Sequence, residues 1–107
     1  MAQYKAPHRE YEFILKEVLG IEQILGKYPE YKEASWDMIE MISEQFGKIN
    51  EEYWLTSNRE GDEIGAVFKD GNVTVPKRMK EATEMVIDSG LTQLFGHQKY
   101  GGMEFPN

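Results

Sequence analysis

The run "SWDMIEMISEQFGKINEEYW" constrains this chain more than any other stretch of it. Trp36, Ile39, Ile42, Phe46, Ile49 and Tyr53 recur at spacings of three and four, which lines them along one side of an α-helix. Ser35 stands just ahead of them as an N-cap, so a long amphipathic helix is expected near residues 35–54. Met38 and Met41 widen its apolar face beyond a narrow seam, and the helix is therefore expected to touch more than one neighbour. Gly47 reads as a local weakness costing about 1 kcal/mol relative to alanine.

The neighbours are shorter. In "APHREYEFILKEVLG", Pro7 suits a first helical turn, and Tyr11, Ile14, Leu15, Val18 and Leu19 form what reads as one buried stripe before Gly20 stops the helix. "IEQILGKYPEYKEAS" supports a short helix over Ile21, Ile24 and Leu25, broken by Gly26 and Pro29. Polar, glycine-punctuated "TSNREGDEIG" reads as the end of helical structure, and "AVFKDGNVTV" sets Asp70 and Gly71 between two β-prone runs, the pattern of a small hairpin or extended loop. Pro76 opens a further helix near residues 77–89, with Met79, Ala82 and Val86 facing inward, Ile87 a further candidate, and Gly90 at its end. Leu91, Leu94 and Phe95 then lead into a glycine turn. The expected fold is all-α: a small helical bundle with three principal helices, short extra helices and at most a minor hairpin. Three helices leave open faces, which points to something outside them completing the core.

The length of 107 residues suits one domain with a thin stability margin, and a hydrophobic fraction of 40% is enough for a packed interior. Twelve basic against nineteen acidic residues give a formal charge of −7, which opposes binding to phosphate backbones and anionic lipid, so no nucleic-acid partner is expected. With no cysteine there is no disulfide, thiolate nucleophile or cysteine metal site. The hydrophilic start "MAQYKAPHRE" lacks the apolar core of a signal peptide, and no run reaches the length of a membrane span, so a cytoplasmic protein is expected.

Reactive chemistry is sparse. Glu40 and Glu44 lie one helical turn apart, but a carboxylate-bridged metal site also needs a Glu-x-x-His pair, and His8 and His97 sit near the two ends without one. These glutamates, with Glu51 and Glu52, read as a solvated helix face. Asp70, Asn72, Thr74 and Glu81 imitate part of a calcium loop, yet Val75 stands where the sharp turn needs glycine. Ser35, Ser43, Ser57 and Ser89 lie outside any nucleophile elbow, and neither "GDEIG" nor "YGGMEF" matches a nucleotide-binding glycine pattern. No catalytic, cofactor-binding or metal residue is assigned from these patterns.

Taken in order, "YKAPHREYEFILKEVLGIEQ", "NREGDEIG", "DGNVTVPKRMKEA" and "QKYGGMEFP" resemble the N-terminal region of flavin-dependent acyl-CoA dehydrogenases, in the subgroup similar to 3-methylmercaptopropionyl-CoA dehydrogenase. Tyr4, Lys5, Ala6 and Pro7 fit the opening of that subgroup, and Asn58, Arg59, Gly61, Asp62 and Gly65 fit its middle signature. The chain departs from it at His8, at Lys77–Met79 and at Leu91. The resemblance implies that residues 1–107 are one helical region, cut before the pocket helices and before the domains that hold FAD and the catalytic glutamate. It implies FAD and an acyl-CoA thioester for the complete enzyme, with neither cofactor nor catalytic base in this chain. Tyr100, Gly101 and Gly102 would then be a pocket edge leading to the missing helices. The alternative reading is a free-standing acidic helical module for protein interaction or dimerisation. Either way a partner is expected, a second copy or the missing remainder, with Trp36, Met38, Met41, Phe46 and Trp54 as the candidate interface.

Overall fold

The fold is described by a computed structural model covering residues 3–106. Ser35 begins the central element as its sequence position predicts: its backbone is extended and its Oγ accepts the N–H of Met38 at 3.4 Å. The carboxylate of Glu22 reaches the next N–H, that of Trp36, at 3.5 Å, adding negative charge at the helix start. Helix α3 (Trp36–Ile49) follows, passes through a wider π-helical stretch (Asn50–Trp54) and continues as α4 (Leu55–Ile64).

The helical path therefore runs on through "TSNREGDEI", where the sequence reading ended it. Small side chains explain the difference. Ser57 is buried with its Oγ donating to the carbonyl of Trp54 at 2.9 Å, and Gly61 lets the Met79 side chain lie directly on the helix. What looked like loop composition is a helix surface cut low for a neighbour. Gly65, at φ 66°, is where the helix stops.

That neighbour is α5 (Lys77–Asp88), which runs antiparallel to the long helix: Met79 near its start meets Gly61, while Met85 and Val86 near its end pack on the cluster containing Ile49. Ala82 between these contacts is fully buried. Arg78 and Glu60 pair at the rim at 3.2 Å. Between the two helices, β1 (Val67–Lys69) and β2 (Asn72–Thr74) form the expected hairpin, antiparallel with Phe68 opposite Val73. Asp70 and Gly71 both adopt positive φ, as a two-residue hairpin turn of this hand requires.

Ahead of the central helix, α1 (His8–Glu12) widens into a π-helical stretch (Phe13–Val18), and Gly20 in the left-handed region separates it from α2 (Ile21–Leu25). The core cluster is Ile42, Ile49, Leu91 and Leu94, with Phe46, Trp54, Met85, Val86 and Phe105 packed around it. Phe105 reaches that cluster because residues 102–105 turn back along 93–96: Met103, Glu104 and Phe105 donate to the carbonyls of Gln93, Gly96 and Leu94 at 3.0–3.1 Å.

Two expectations about burial do not hold. Of the apolar stripe on the first helix, Tyr11, Ile14, Leu19 and Val18, the last 61% exposed, face solvent, and only Leu15 is half-buried. Ile87 of α5 is exposed as well. The reason is the shape of the molecule, a slab 54 × 36 × 16 Å with a radius of gyration of 17.3 Å. A compact chain of this length has a radius near 13 Å. Its surface of 8221 Å² exceeds by about 2,000 Å² what a folded monomer of this mass presents. One layer of helices has no second layer to bury its other side.

Candidate functional site

One concavity lies where the helix loosens into its π-helical stretch. There the N–H of Leu55 bonds back to the carbonyl of Asn50, opening the turn so that Asn50 and Trp54 line a cleft of about 580 Å³. Asn58, Gly61 and Asp62 continue the wall one and two turns on, Met79 of α5 closes the far side, and Tyr4 of the N-terminal segment closes the near side. The wall is apolar at Trp54, Leu55 and Met79, with amide and carboxylate groups at its rim. Removal from water pushes the Tyr4 hydroxyl above its ordinary pKa, Tyr11 and Glu51 push the same way, and Asn50 opposes them. At neutral pH Tyr4 is therefore an uncharged phenol, able to donate a hydrogen bond and unfit to serve as a base.

The residues singled out from sequence are divided by this geometry. Asn58, Gly61 and Asp62 line the cleft together, while Arg59 points away and pairs with Glu63 at 2.8 Å, and Gly65 ends α4. Tyr100, Gly101 and Gly102 lie elsewhere, on the turn that returns the chain to the core. Tyr100 is 79% exposed and Gly101 has φ 85°. Their flanks, Gln98 and Met103, line a separate cleft of about 400 Å³ against the Pro29–Ala34 segment and Met38.

Glu104 sits on the same turn in a holding role. Its Oε1 accepts the N–H of Gln98 and faces His97 Nε2, each at 3.1 Å, while His97 Nδ1 accepts from the N–H of Lys99 at 3.0 Å. Since Nδ1 is an acceptor, the neutral ring carries its proton on Nε2 and donates it to Glu104. Among the described residues no buried side-chain nitrogen or oxygen lacks a partner, and no three histidine or acidic side chains gather closely enough to hold a metal ion. No helix among them is long and apolar enough to cross a membrane.

The five residues named as an interface are also divided. Trp36 is only 7% exposed, under Lys16 of the first helix, whose Nζ stands 5.4 Å from its ring, so it joins elements within the chain. Phe46 and Trp54 pack on the core, Met38 is half-buried, and Met41 alone stands well exposed. The open apolar surface lies instead on Phe13, Ile14, Val18 and Leu19, on the hairpin at Phe68 and Val73, and at Phe95.

Two curated relatives align with nearly the whole chain. One is the 3-methylmercaptopropionyl-CoA dehydrogenase of Ruegeria pomeroyi, 28% identical over 103 residues that make up 96% of this chain and 17% of that protein. The other is the broad-specificity linear acyl-CoA dehydrogenase FadE5 of Mycobacterium tuberculosis, 27% identical over 108 aligned positions covering 99% of this chain and 18% of that protein. The likeness is to acyl-CoA dehydrogenases. No family model matches the chain. It spans less than a fifth of the length of either dehydrogenase, so the resemblance is between this helical layer and one part of a much larger protein.

Proposed function

We propose that the chain is the N-terminal helical part of a flavin-dependent acyl-CoA dehydrogenase and serves there as a structural layer. One pairing of observations carries this reading. The likeness to two dehydrogenases runs from end to end of the chain, and the chain has an open apolar side that nothing in it covers. In that setting the rest of the enzyme, or a second copy, would pack on the exposed residues of the first helix. The Tyr100–Gly102 turn would form the edge from which the pocket helices continue. FAD and the acyl-CoA thioester belong to the complete enzyme, in the cytoplasm. The carboxylate that removes a proton beside the thioester carbonyl, and the groups that orient the flavin, lie outside these residues. Glu40 stands on a helix surface and Glu104 is engaged in holding a turn, so neither takes that role.

The test is a titration of the purified chain with FAD, followed by dye-coupled assays with acyl-CoA thioesters of several chain lengths. The expected result is no stoichiometric flavin and no turnover. Stoichiometric flavin binding, or turnover abolished by Glu104→Gln, would replace the structural reading with a small complete enzyme. Reading the gene past Asn107 separates this reading from that of a free-standing module: an open frame continuing into a long coding region supports the dehydrogenase, and a stop codon there supports the module.

A further inference from the structure

Gly47 is buried in the middle of the central helix, where glycine is an unfavourable residue, and the N-terminal segment lies across it. A Cβ at this position would stand 2.7 Å from His8 Cε1 and 2.8 Å from the Cβ of Ala6, closer than such atoms approach. On either side of it the same helix face supplies polar contacts. Ser43 Oγ is 3.3 Å from His8 Nδ1, and Glu51 Oε1 accepts the backbone N–H of Ala6 at 2.7 Å. Positions 43, 47 and 51 are each four residues apart and so stack on one line of the helix. Between the two contacts Pro7 fixes its own φ and has no N–H to satisfy, which reduces the freedom the segment loses on docking. Beyond Ala6, Tyr4 closes the near wall of the cleft at the π-helical stretch.

We propose that residues 4–8 form a strap that docks on α3 through the bare surface of Gly47, and that this docking holds Tyr4 in place as one wall of the Asn50–Trp54 cleft. The inference does not depend on the enzyme to which the chain is assigned. The strap is tied by one charge-assisted hydrogen bond, one weaker polar contact and a van der Waals notch, while the helix beneath is complete without it. Its release therefore opens the cleft without unfolding the helix.

The decisive variant is Gly47→Ala in the full chain, because the two readings give opposite signs. If Gly47 were merely a flaw in the helix, alanine would raise the melting temperature and leave the strap unchanged. With the strap seated on Gly47, alanine displaces it. The Ala6 amide then exchanges about tenfold faster or more, as expected for loss of a hydrogen bond to a charged group. Trypsin cuts sooner after the exposed Lys5, and helical circular dichroism is retained. Glu51→Ala is expected to move the same two readouts in the same direction. Should Gly47→Ala fail to fold, the triple change Ala6→Gly, His8→Ala, Gly47→Ala clears the contact and is expected to restore the fold. A higher melting temperature with unchanged Ala6 exchange, or no recovery in the triple variant, overturns the proposal.

Discussion

Gly102 rests against the backbone of Gly96, so near that a single methyl group on it would meet the carbonyl of Gly96. The obstructing atoms are main chain and cannot rotate aside. Gly102→Ala is therefore expected to cost about 3 kcal/mol, at the upper end of overpacking penalties, and to release Phe105 from the core. Urea unfolding measures the cost. Exchange of the Phe105 amide, which donates to Leu94 at 3.0 Å, reports the release. Gly101→Ala, with open space beside it but positive φ, is expected to cost about 1 kcal/mol.

Trp36 and Met41 should separate cleanly. The Trp36 ring is buried under Lys16 of the first helix, and its replacement by alanine is expected to cost about 3–5 kcal/mol, enough to unfold much of an isolated chain. Met41→Ala, at an exposed position, should stay within about 0.5 kcal/mol. Chemical denaturation of the two variants side by side checks both, and equal effects would contradict the burial described above.

Tyr4 makes a prediction about alkaline pH. Its pKa is raised in the folded state, so the folded chain holds this proton to a higher pH than the unfolded chain does. The associated stability is complete below about pH 10 and is lost as pH rises through the folded pKa. Tyr4→Phe is expected to remove that part of the alkaline loss while leaving stability at neutral pH little changed. The difference between the absorbance titrations of parent and variant near 295 nm should be a single tyrosine that ionises late.

The exposed apolar side chains should make the isolated chain associate. Sedimentation is expected to depend on concentration, and a fluorescent probe of apolar surface should bind. Val18→Glu and Phe95→Glu, at two of the more exposed apolar positions, are expected to reduce both without loss of helix. A strictly monomeric chain that binds no probe would remove the case for a missing cover.

Much of this fold was legible in the sequence because local rules decide it. The Ser35 cap, the Gly20 and Gly90 stops and the Asp70–Gly71 turn each follow from one or two residues and stand where expected. What could not be read was the purpose of glycines inside helices. Gly47 and Gly61 look like weak points in one dimension, and only the neighbouring segment reveals them as seats for His8 and Met79. The same limit applies to the first helix. Periodicity at Ile14 and Val18 reports that a face is made to be covered, but contains no statement of what covers it. For the candidate site, Asn58, Gly61 and Asp62 were singled out by resemblance alone, in a stretch whose polar, glycine-punctuated composition reads as the end of a helix, so the wall they share could not be seen. The contribution of Tyr4 depends on a contact spanning most of the central helix, and no local signal carries it.

A slab 16 Å thick has two surfaces and almost no inside. Its melting temperature is then not a property of the sequence alone, because any molecule that covers the open side binds the folded state and raises the midpoint by mass action. A value measured at low concentration and one measured inside a larger assembly describe different equilibria, and substitutions ranked in the first need not keep their order in the second.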